Sequence, residues 1–343
     1  MMAKRLLFGA DCRRKYVSVI RNAICSEIHG SSWMKACAAN VQGRWPKVEN
    51  AMERLPTSVS AKIPFKRRMC STFQSTIDQA EIKKFQSLAQ KWWDENGEFQ
   101  ALHTMNDLRV PFIRDTLINY IGSRQSGSPL SGVRLLDVGC GGGLLSEPLA
   151  RLGAVVTGLD PVEDNIRTAE VHKSPDPFLN KQLQYKACSL EDITEECSEC
   201  FDAIVASEVL EHVADRETFI NCCYHVLKPS GHLFITTINK TNLSYLIGII
   251  AAEWIFSIVP RGTHEWEKFV IPEELERQLE SNGFYVESIN GMYYNICSGL
   301  WSWTESTSIN YALHAVKSKD TQHPESENPV SEETIQSYAN SAS

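Results

Sequence analysis

Acidic residues and glycines occur where two apolar stretches of the sequence end. The first stretch ends at Asp137, and Gly139, Gly141 and Gly143 follow it. The second stretch ends at Asp160, 21 residues after Gly139. Glycine lets the chain turn sharply and lets a ligand approach the backbone. A carboxylate at the end of the second strand of such a unit can accept hydrogen bonds from ribose hydroxyls. The spacing therefore indicates a site for a cofactor that contains a nucleoside.

Two classes of cofactor fit this outline, and Asp137 separates them. A nicotinamide enzyme would place Gly-x-Gly-x-x-Gly here, with a pyrophosphate at the following helix N-terminus. The spacing in this chain is Gly-x-Gly-x-Gly. An acidic residue would repel a pyrophosphate but attract the cationic methionine part of S-adenosylmethionine. We therefore predict that S-adenosylmethionine is bound by Asp137, Gly139, Gly141 and Asp160, with an NAD-dependent dehydrogenase as a distant alternative.

The surrounding sequence alternates between strand-like and helical periodicity, which predicts a doubly wound α/β fold. We expect a mostly parallel sheet of seven strands at residues 133–138, 154–159, 183–188, 201–206, 232–238, 284–289 and 309–316. Two further helices are expected before the sheet, at 76–93 and 106–121. Ligands of such sheets bind at the carboxyl ends of the strands.

Charge divides the chain into unequal parts. Residues 1–70 hold 14 basic and 4 acidic residues, whereas the rest of the chain holds 20 basic and 38 acidic residues. A basic, acid-poor N-terminus predicts a mitochondrial transit segment over 1–70, with a basic arm for nucleic acid or anionic lipid as the alternative. The acidic body argues against nucleic acid as the main partner. We assign 71–125 to N-terminal helices, 126–317 to the main domain and 318–343 to a polar, disordered tail.

The 11 cysteines show no disulfide framework. Cys197-x-x-Cys200, followed by the adjacent pair Cys222 and Cys223 and by His225, suggests a zinc site only superficially. Tetrahedral zinc needs four ligands that converge, and the second pair lacks a spacer. We expect reduced, partly buried thiols.

An apolar insertion, residues 243–260, follows the fifth predicted strand. Its first 17 residues contain one charged residue, Glu253. A spanning helix needs about 20 apolar residues. The segment is therefore predicted to lie in a membrane interface, with a buried lid helix as the alternative.

Narrower motifs connect this chain to one family. From about residue 85 to residue 316 it resembles the ubiquinone-biosynthesis O-methyltransferases, a class I, Rossmann-like methyltransferase family. The matching segments are Trp92-Trp93-Asp94, Gly97-Glu98-Phe99, Leu102-His103, residues 135–143, Val156-Thr157-Gly158-Leu159-Asp160, residues 208–213, Pro260-Arg261-Gly262-Thr263-His264 and Asn310-Tyr311-Ala312-Leu313-His314.

The resemblance implies transfer of a methyl group to catechol-type hydroxyls of polyprenylated coenzyme Q precursors, at two stages of ring modification. It implies that Arg109 and Ser207 join the cofactor site, which the N-terminal helices cap. It also implies work on the matrix side of the mitochondrial inner membrane, within a complex of coenzyme Q biosynthesis proteins. The alternatives are a methyltransferase for another small phenol and a non-catalytic methyltransferase-like subunit. No catalytic base is identified, and His264 is expected to be structural.

Two carboxylates and an imidazole follow the fourth predicted strand, at Glu208, Glu211 and His212. Mg²⁺ prefers oxygen ligands and keeps open positions for a substrate. A metal that chelates a catechol would orient it and lower its phenolic pKa. We predict that these three residues bind Mg²⁺. The alternative is a motif that shapes the loop after the strand without metal.

Overall fold

The computed structural model describes residues 76, 78–122, 127–241, 269–295 and 298–319. Eight strands form one sheet in this part of the chain. They are β1 Arg134–Val138, β2 Val155–Leu159, β3 Leu183–Lys186, β4 Phe201–Ser207, β5 Leu227–Ile238, β6 Phe284–Asn295, β7 Leu300–Thr304 and β8 Asn310–Lys317.

The strand order across the sheet is β3-β2-β1-β4-β5-β8-β6-β7. The first five strands pair in parallel, and β8, β6 and β7 extend the sheet with antiparallel pairs. Strand order reverses between β1 and β4, so their carboxyl ends border the crevice in which open α/β sheets bind ligands.

The predicted doubly wound, mostly parallel α/β fold is confirmed, but the count of seven strands is one too low. The missed strand is β7, which pairs only with β6 among the described residues. All five of its side chains are exposed or half-buried. The sequence signal is short, because apolar and polar residues alternate only over Trp301-Ser302-Trp303-Thr304, the minimum length for a strand pattern.

Helices cover both faces of the sheet. They are α1 Gln79–Leu88, α2 Gln100–Ile121, α3 Ser146–Arg151, α4 Glu163–Lys173, α5 Leu179–Gln182, α6 Leu190–Glu196, α7 Arg216–Val226 and α8 Pro272–Ser281. A 3₁₀ turn, Ala89–Lys91, extends α1, and a second one, Leu210–His212, follows β4.

Alternate residues along the strands pack into two separate apolar clusters, one on each face of the sheet. Leu136 and Ile204 pack into the cluster that α6, α7 and α8 cover. Leu135 and Val205 pack into the cluster that α2, α3, α4 and α5 cover. Because both faces are buried, the parallel strands are held rigidly, and the residues at their ends keep fixed positions.

Several sequence predictions fall outside the described residues: the transit segment 1–70, the insertion 243–260, His264 and the tail beyond residue 319. No helix among the described residues is long and apolar enough to cross a membrane. Cys197 and Cys200 lie side by side, with Cα atoms 6.0 Å apart. Cys140, Cys188, Cys222 and Cys223 are free, as expected of reduced thiols.

Candidate active site

A cavity of about 330 Å³ lies at the carboxyl ends of the central strands. Most of the predicted site residues line it, namely Arg109, Asp137, Gly139, Asp160, Ser207, Glu208, Glu211 and His212. Gly141 is not among the lining residues, and its N–H donates a hydrogen bond to Asp160 Oδ2 at 3.0 Å. The fold thus brings together segments that are far apart in the sequence.

Asp160 follows β2 directly, and protein groups hold both of its oxygens. Oδ1 accepts from the Val162 N–H at 2.8 Å and from Asn165 Nδ2 at 3.1 Å, and Oδ2 accepts from the Gly141 N–H. Burial raises the pKa of Asp160 to about 6, although these hydrogen bonds act in the opposite direction. The carboxylate is therefore ionised at neutral pH and has a fixed orientation beside the cavity.

Asp137, in β1, is the second buried carboxylate. Its Oδ2 accepts from Ser146 Oγ at 2.5 Å. Burial raises its pKa to about 6, the Ser146 hydroxyl and the Arg109 charge lower it, and the charge of Asp160 raises it. Two carboxylates that interact here favour a positively charged ligand, because a cation stabilises both ionised forms.

Arg109 is buried, although a single arginine in a sequence is most often a surface charge. It lies on the buried side of α2 with Met105, Ile113 and Leu117. Their four-residue spacing is the signal that would have placed Arg109 inside. Burial lowers its pKa to about 10, and the charges of Asp137 and Glu208 raise it. The guanidinium therefore stays protonated and provides a positive charge within the acidic cavity.

A chain of hydrogen bonds connects this guanidinium to Glu208. Arg109 Nη1 donates to Ser207 Oγ at 2.7 Å, and Ser207 Oγ lies 2.7 Å from Thr236 Oγ1. Thr236 Oγ1 in turn donates to Glu208 Oε1 at 2.8 Å. Arginine only donates and an ionised carboxylate only accepts, so both hydroxyls between them donate toward the carboxylate. Ser207 Oγ therefore donates to Thr236 Oγ1. The chain orients the Ser207 and Glu208 side chains together.

The predicted metal ligands do not converge on a single point. Glu208 is held by Thr236, and Glu211 Oε2 accepts from Thr237 Oγ1 at 2.7 Å. The His212 ring contacts Phe85 edge-on, with 5.0 Å between the ring centroids. In the described part of the chain, no three His, Cys, Asp or Glu residues are grouped so that they could hold a metal ion. The residues border the cavity, but in this arrangement they do not fit a preformed three-ligand site.

The glycine turn after β1 is enclosed by protein. A Cβ on Gly139 would lie 2.6 Å from Val209 Cγ2, and a Cβ on Gly141 or Gly142 would lie 2.4 Å from the Trp92 ring. Gly139 and Gly141 also have positive φ, at +67° and +54°. The turn therefore needs glycine for packing and for backbone conformation, and not only for the approach of a ligand.

The segment after β3 contributes both to local structure and to the cavity wall. Ser189 and Asp192 form a capping box at the start of α6. The Glu191 carboxylate is buried and accepts a hydrogen bond from the Thr76 N–H. Ser189 and Leu190 line the cavity.

Sequence reasoning missed several cavity residues. Trp92, Asn165, Tyr294 and Trp301 line the cavity, and Trp301 Nε1 donates to the Ala101 carbonyl at 2.8 Å. The sequence identifies Trp92-Trp93-Asp94 only as a family motif and does not predict that Trp92 lines the cavity. Asn165 follows Asp160 by five residues, which places it in the first turn of α4, facing back toward the end of β2.

Comparison with known proteins identifies similar sequences. A family model described as a methyltransferase domain matches residues 112–289. The mouse protein named ubiquinone biosynthesis O-methyltransferase, mitochondrial, is 59% identical over 277 residues, which cover 80% of this chain and 75% of the mouse protein. The human protein of that name is 62% identical over 259 residues, 76% of this chain and 70% of its own. A ubiquinone biosynthesis O-methyltransferase of Methylobacterium sp. (strain 4-46) is 44% identical over 70% of this chain and 95% of its own.

The raised carboxylate pKa values predict that cofactor affinity depends on pH. An ionised carboxylate accepts hydrogen bonds from hydroxyl groups with both oxygens, whereas the protonated acid loses part of that capacity. Affinity for S-adenosylmethionine should stay high above about pH 7 and fall as the pH decreases through about 6. Each group can weaken binding by up to roughly tenfold per pH unit below its pKa.

Titration calorimetry between pH 5.5 and 8 measures this dependence. Asp160→Asn serves as the reference, because any titration of the ligand itself is common to both proteins. The variant should bind more weakly and should lose the part of the pH dependence that Asp160 contributes. Equal affinity of the wild-type protein at pH 5.5 and pH 7.5 would contradict the assignment.

Proposed function

Because this chain belongs to the ubiquinone biosynthesis O-methyltransferases, we propose that it methylates ring hydroxyls of polyprenylated dihydroxybenzoate and demethylubiquinol intermediates. The methyl donor is S-adenosylmethionine. The observation that carries the proposal is the buried Asp137 carboxylate at the glycine turn, inside a cavity where a second buried carboxylate, Asp160, is already oriented by the protein.

The reaction needs a phenolic oxygen in line with the methyl group, at about 3 Å. The oxygen attacks the methyl carbon, the carbon–sulfur bond breaks, S-adenosylhomocysteine leaves, and the phenol proton is released. Asp137 holds the cationic methionine part, and Asp160 holds the ribose. Aromatic and apolar side chains, among them Phe85, Met105 and Tyr294, line the same cavity and keep water from the reacting atoms.

A methyltransferase-like subunit without activity is the alternative from another class. Such a subunit would have no use for ionised carboxylates buried at a cavity, because burial of their charge lowers stability. Asp137 and Asp160 are both buried, and both have raised pKa values. Their retention favours a protein that binds a charged cofactor. Only a comparison of substrates distinguishes the proposed function from that of a methyltransferase for another small phenol.

Turnover is tested with purified protein, S-adenosylmethionine and a short-chain polyprenyl dihydroxybenzoate or demethyl-quinol. Gly139→Arg should reduce turnover by at least about 100-fold, because its Cβ would meet Val209 and the side chain would fill the cavity. Mass spectrometry of the methylated product is the measurement.

Gly127→Arg is the matched control. Gly127 also has positive φ, at +91°, but a Cβ there has no neighbour within 4 Å. This variant carries a comparable backbone strain away from the cavity and should keep wild-type turnover. A wild-type protein that binds S-adenosylmethionine but methylates neither substrate would support the alternatives.

The requirement for Mg²⁺ is a second part of the proposal. Glu208 and Glu211 supply oxygen ligands at the cavity wall, and His212 is adjacent. When bound, the ion would chelate the two catechol oxygens and lower the phenolic pKa. Thr236 and Thr237 now hold the two carboxylates, so the side chains must exchange these partners in order to ligate one ion.

Chelation tests this part. Activity should be lost after exhaustive treatment with a chelator and should return with added Mg²⁺. Glu208→Gln should raise the Mg²⁺ concentration needed for half-maximal activity by about tenfold or more, because a charged ligand becomes neutral. Calorimetry with Mg²⁺ alone gives a readout that is independent of activity.

Glu163→Gln is the control for that experiment, because Glu163 is an exposed carboxylate on α4. It should leave the Mg²⁺ response unchanged. Full activity of chelated wild-type protein, together with no heat of Mg²⁺ binding, would remove the metal from the mechanism and leave the phenol to be activated by protein groups alone.

The subcellular location proposed for this chain rests on the same relatives. The mammalian relatives are named as mitochondrial proteins, and we place this chain in the mitochondrion. We further propose that residues 1–70 direct import. The mature protein then works as a peripheral protein on the matrix side of the inner membrane, with other coenzyme Q biosynthesis proteins in a complex. The basic, acid-poor composition of 1–70 and the membrane solubility of a polyprenylated substrate support this view.

The insertion 243–260 is the segment proposed to contact the membrane. Ile250→Glu with Ile255→Glu should reduce binding to anionic liposomes by about tenfold or more, because each change adds a charge to an apolar surface. Sedimentation with liposomes is the measurement.

Val171→Glu with Tyr285→Glu adds the same charge to two exposed apolar residues elsewhere. This control should keep liposome binding. Unchanged binding by a folded insertion variant would exclude the segment as the membrane contact.

A further inference from the structure

Trp92 covers the glycine turn of the cofactor site. Its ring occupies the space next to Gly141 and Gly142, and it stacks on Phe99 with 3.9 Å between ring centroids. Its Nε1–H donates to Asn165 Oδ1 at 2.9 Å. The indole is therefore fixed on two sides, by packing against the turn and by one buried hydrogen bond to α4.

Two hydrogen bonds fix the orientation of the Asn165 amide. An indole N–H can only donate, so it selects the amide oxygen. The Asp160 carboxylate only accepts, so it selects the amide nitrogen, and Asn165 Nδ2 donates to Asp160 Oδ1 at 3.1 Å. Without the indole donor, the Asn165 side chain loses one of the two contacts that hold it, and its direction toward Asp160 is no longer fixed.

Asp160 depends on this amide for part of its orientation. Backbone N–H groups of Gly141 and Val162 supply its other donors. Asn165 and Asp160 are both buried, and both line the cavity. A buried amide with its hydrogen bonds satisfied is rigid, so it restricts the carboxylate to one direction.

We propose that Trp92 and Asn165 form a positioning pair that sets the direction in which Asp160 presents its carboxylate to the cofactor ribose. The inference rests on the proposed placement of the ribose at Asp160. Neither residue acts on the methyl group. Loss of the pair should therefore raise KM for S-adenosylmethionine and leave kcat nearly unchanged.

The pair also links cofactor binding to the N-terminal segment. Trp92 follows α1, and the start of the same segment is tied down at Thr76, whose carbonyl accepts from the Ala214 N–H at 2.9 Å. Packing of this segment thus contributes to the orientation of Asp160.

Trp92→Phe removes the indole N–H and keeps an aromatic ring over the turn. Trp303→Phe is the control, because it makes the same change at an indole that is exposed on β7 and does not line the cavity. By calorimetry, Trp92→Phe should weaken S-adenosylhomocysteine binding about 3- to 10-fold, the effect of one hydrogen bond. Trp303→Phe should change binding by less than about twofold.

A ligand that lacks a ribose hydroxyl separates positioning from packing. The wild-type protein should bind a deoxyribose analogue of S-adenosylhomocysteine about tenfold more weakly than the parent ligand, since one hydrogen bond to a charged group is lost. Trp92→Phe should show a smaller ratio, because its Asp160 no longer faces that hydroxyl. Equal ratios in the two proteins would overturn the inference and leave Trp92 with a packing role.

Asn165→Asp supplies a second test on a different side chain. It places two carboxylates side by side, which raises the pKa of one of them. The pH at which ligand affinity declines should therefore shift upward, while Asn165→Leu should weaken binding without that shift. An unshifted pH profile in a folded Asn165→Asp variant would contradict the proposal.

Asp160→Asn distinguishes failure of the ribose placement from failure of the positioning pair. Wild-type affinity in that variant would show that the ribose does not lie at Asp160, which would refute the placement itself. Weakened binding in Asp160→Asn together with wild-type behaviour of Trp92→Phe and Asn165→Asp would refute only the positioning pair.

Discussion

Burial of two ionised carboxylates at one end of the sheet is the constraint on which the rest of the site depends. Asp137 and Asp160 have raised pKa values, so in the pH range from about 4 to 6 the folded chain binds protons more tightly than the unfolded chain. By linkage, their contribution to stability decreases as the pH rises through that range. At neutral pH the cofactor-free protein holds both charges at a cost, which a bound cation offsets. The unfavourable burial of these two charges in the cofactor-free protein is therefore also the source of its affinity for a cationic cofactor.

The fold makes this arrangement possible by distributing the supporting donors over several elements. Ser146 of α3 donates to Asp137, the first turn of α4 supplies Asn165, and α2 carries Arg109 beneath the cavity. Each element is anchored by an apolar cluster on one face of the sheet. The carboxylates therefore do not depend on loop conformation alone. The positive charge of Arg109 stabilises the ionised form of Asp137. Hydrogen bonds through the Ser207 and Thr236 hydroxyls connect Arg109 to Glu208.

The parts of the site that could be predicted from sequence are those that lie in one short segment. Asp137 lies in a buried strand, and the glycines and Asp160 follow buried strands, whose apolar runs are easy to detect; Asp137, Gly139 and Asp160 line the cavity. Contacts between distant segments could not be predicted, since nothing in a single sequence connects Trp92 with Asn165. The opposite error affects Glu208 and Glu211, which are three residues apart in the sequence. Glu208 has φ +57°, and threonines of β5 hold the two carboxylates separately, so proximity along the chain does not become convergence in space.

The enclosed glycine turn has a consequence for how these sequences can diverge. Gly139 and Gly141 have positive φ, so a change in their neighbours would not free them to carry a side chain. Gly142 has no such backbone restriction, but both the Cβ and the ring of Trp92 lie 2.4 Å from the place where its own Cβ would stand. A smaller side chain at 92 would still carry that Cβ, so it would not by itself make room for alanine at 142. Among relatives, 139 and 141 should therefore stay glycine for a reason that lies within each residue's own backbone, whereas 142 should stay glycine because residue 92 packs against the turn through its Cβ.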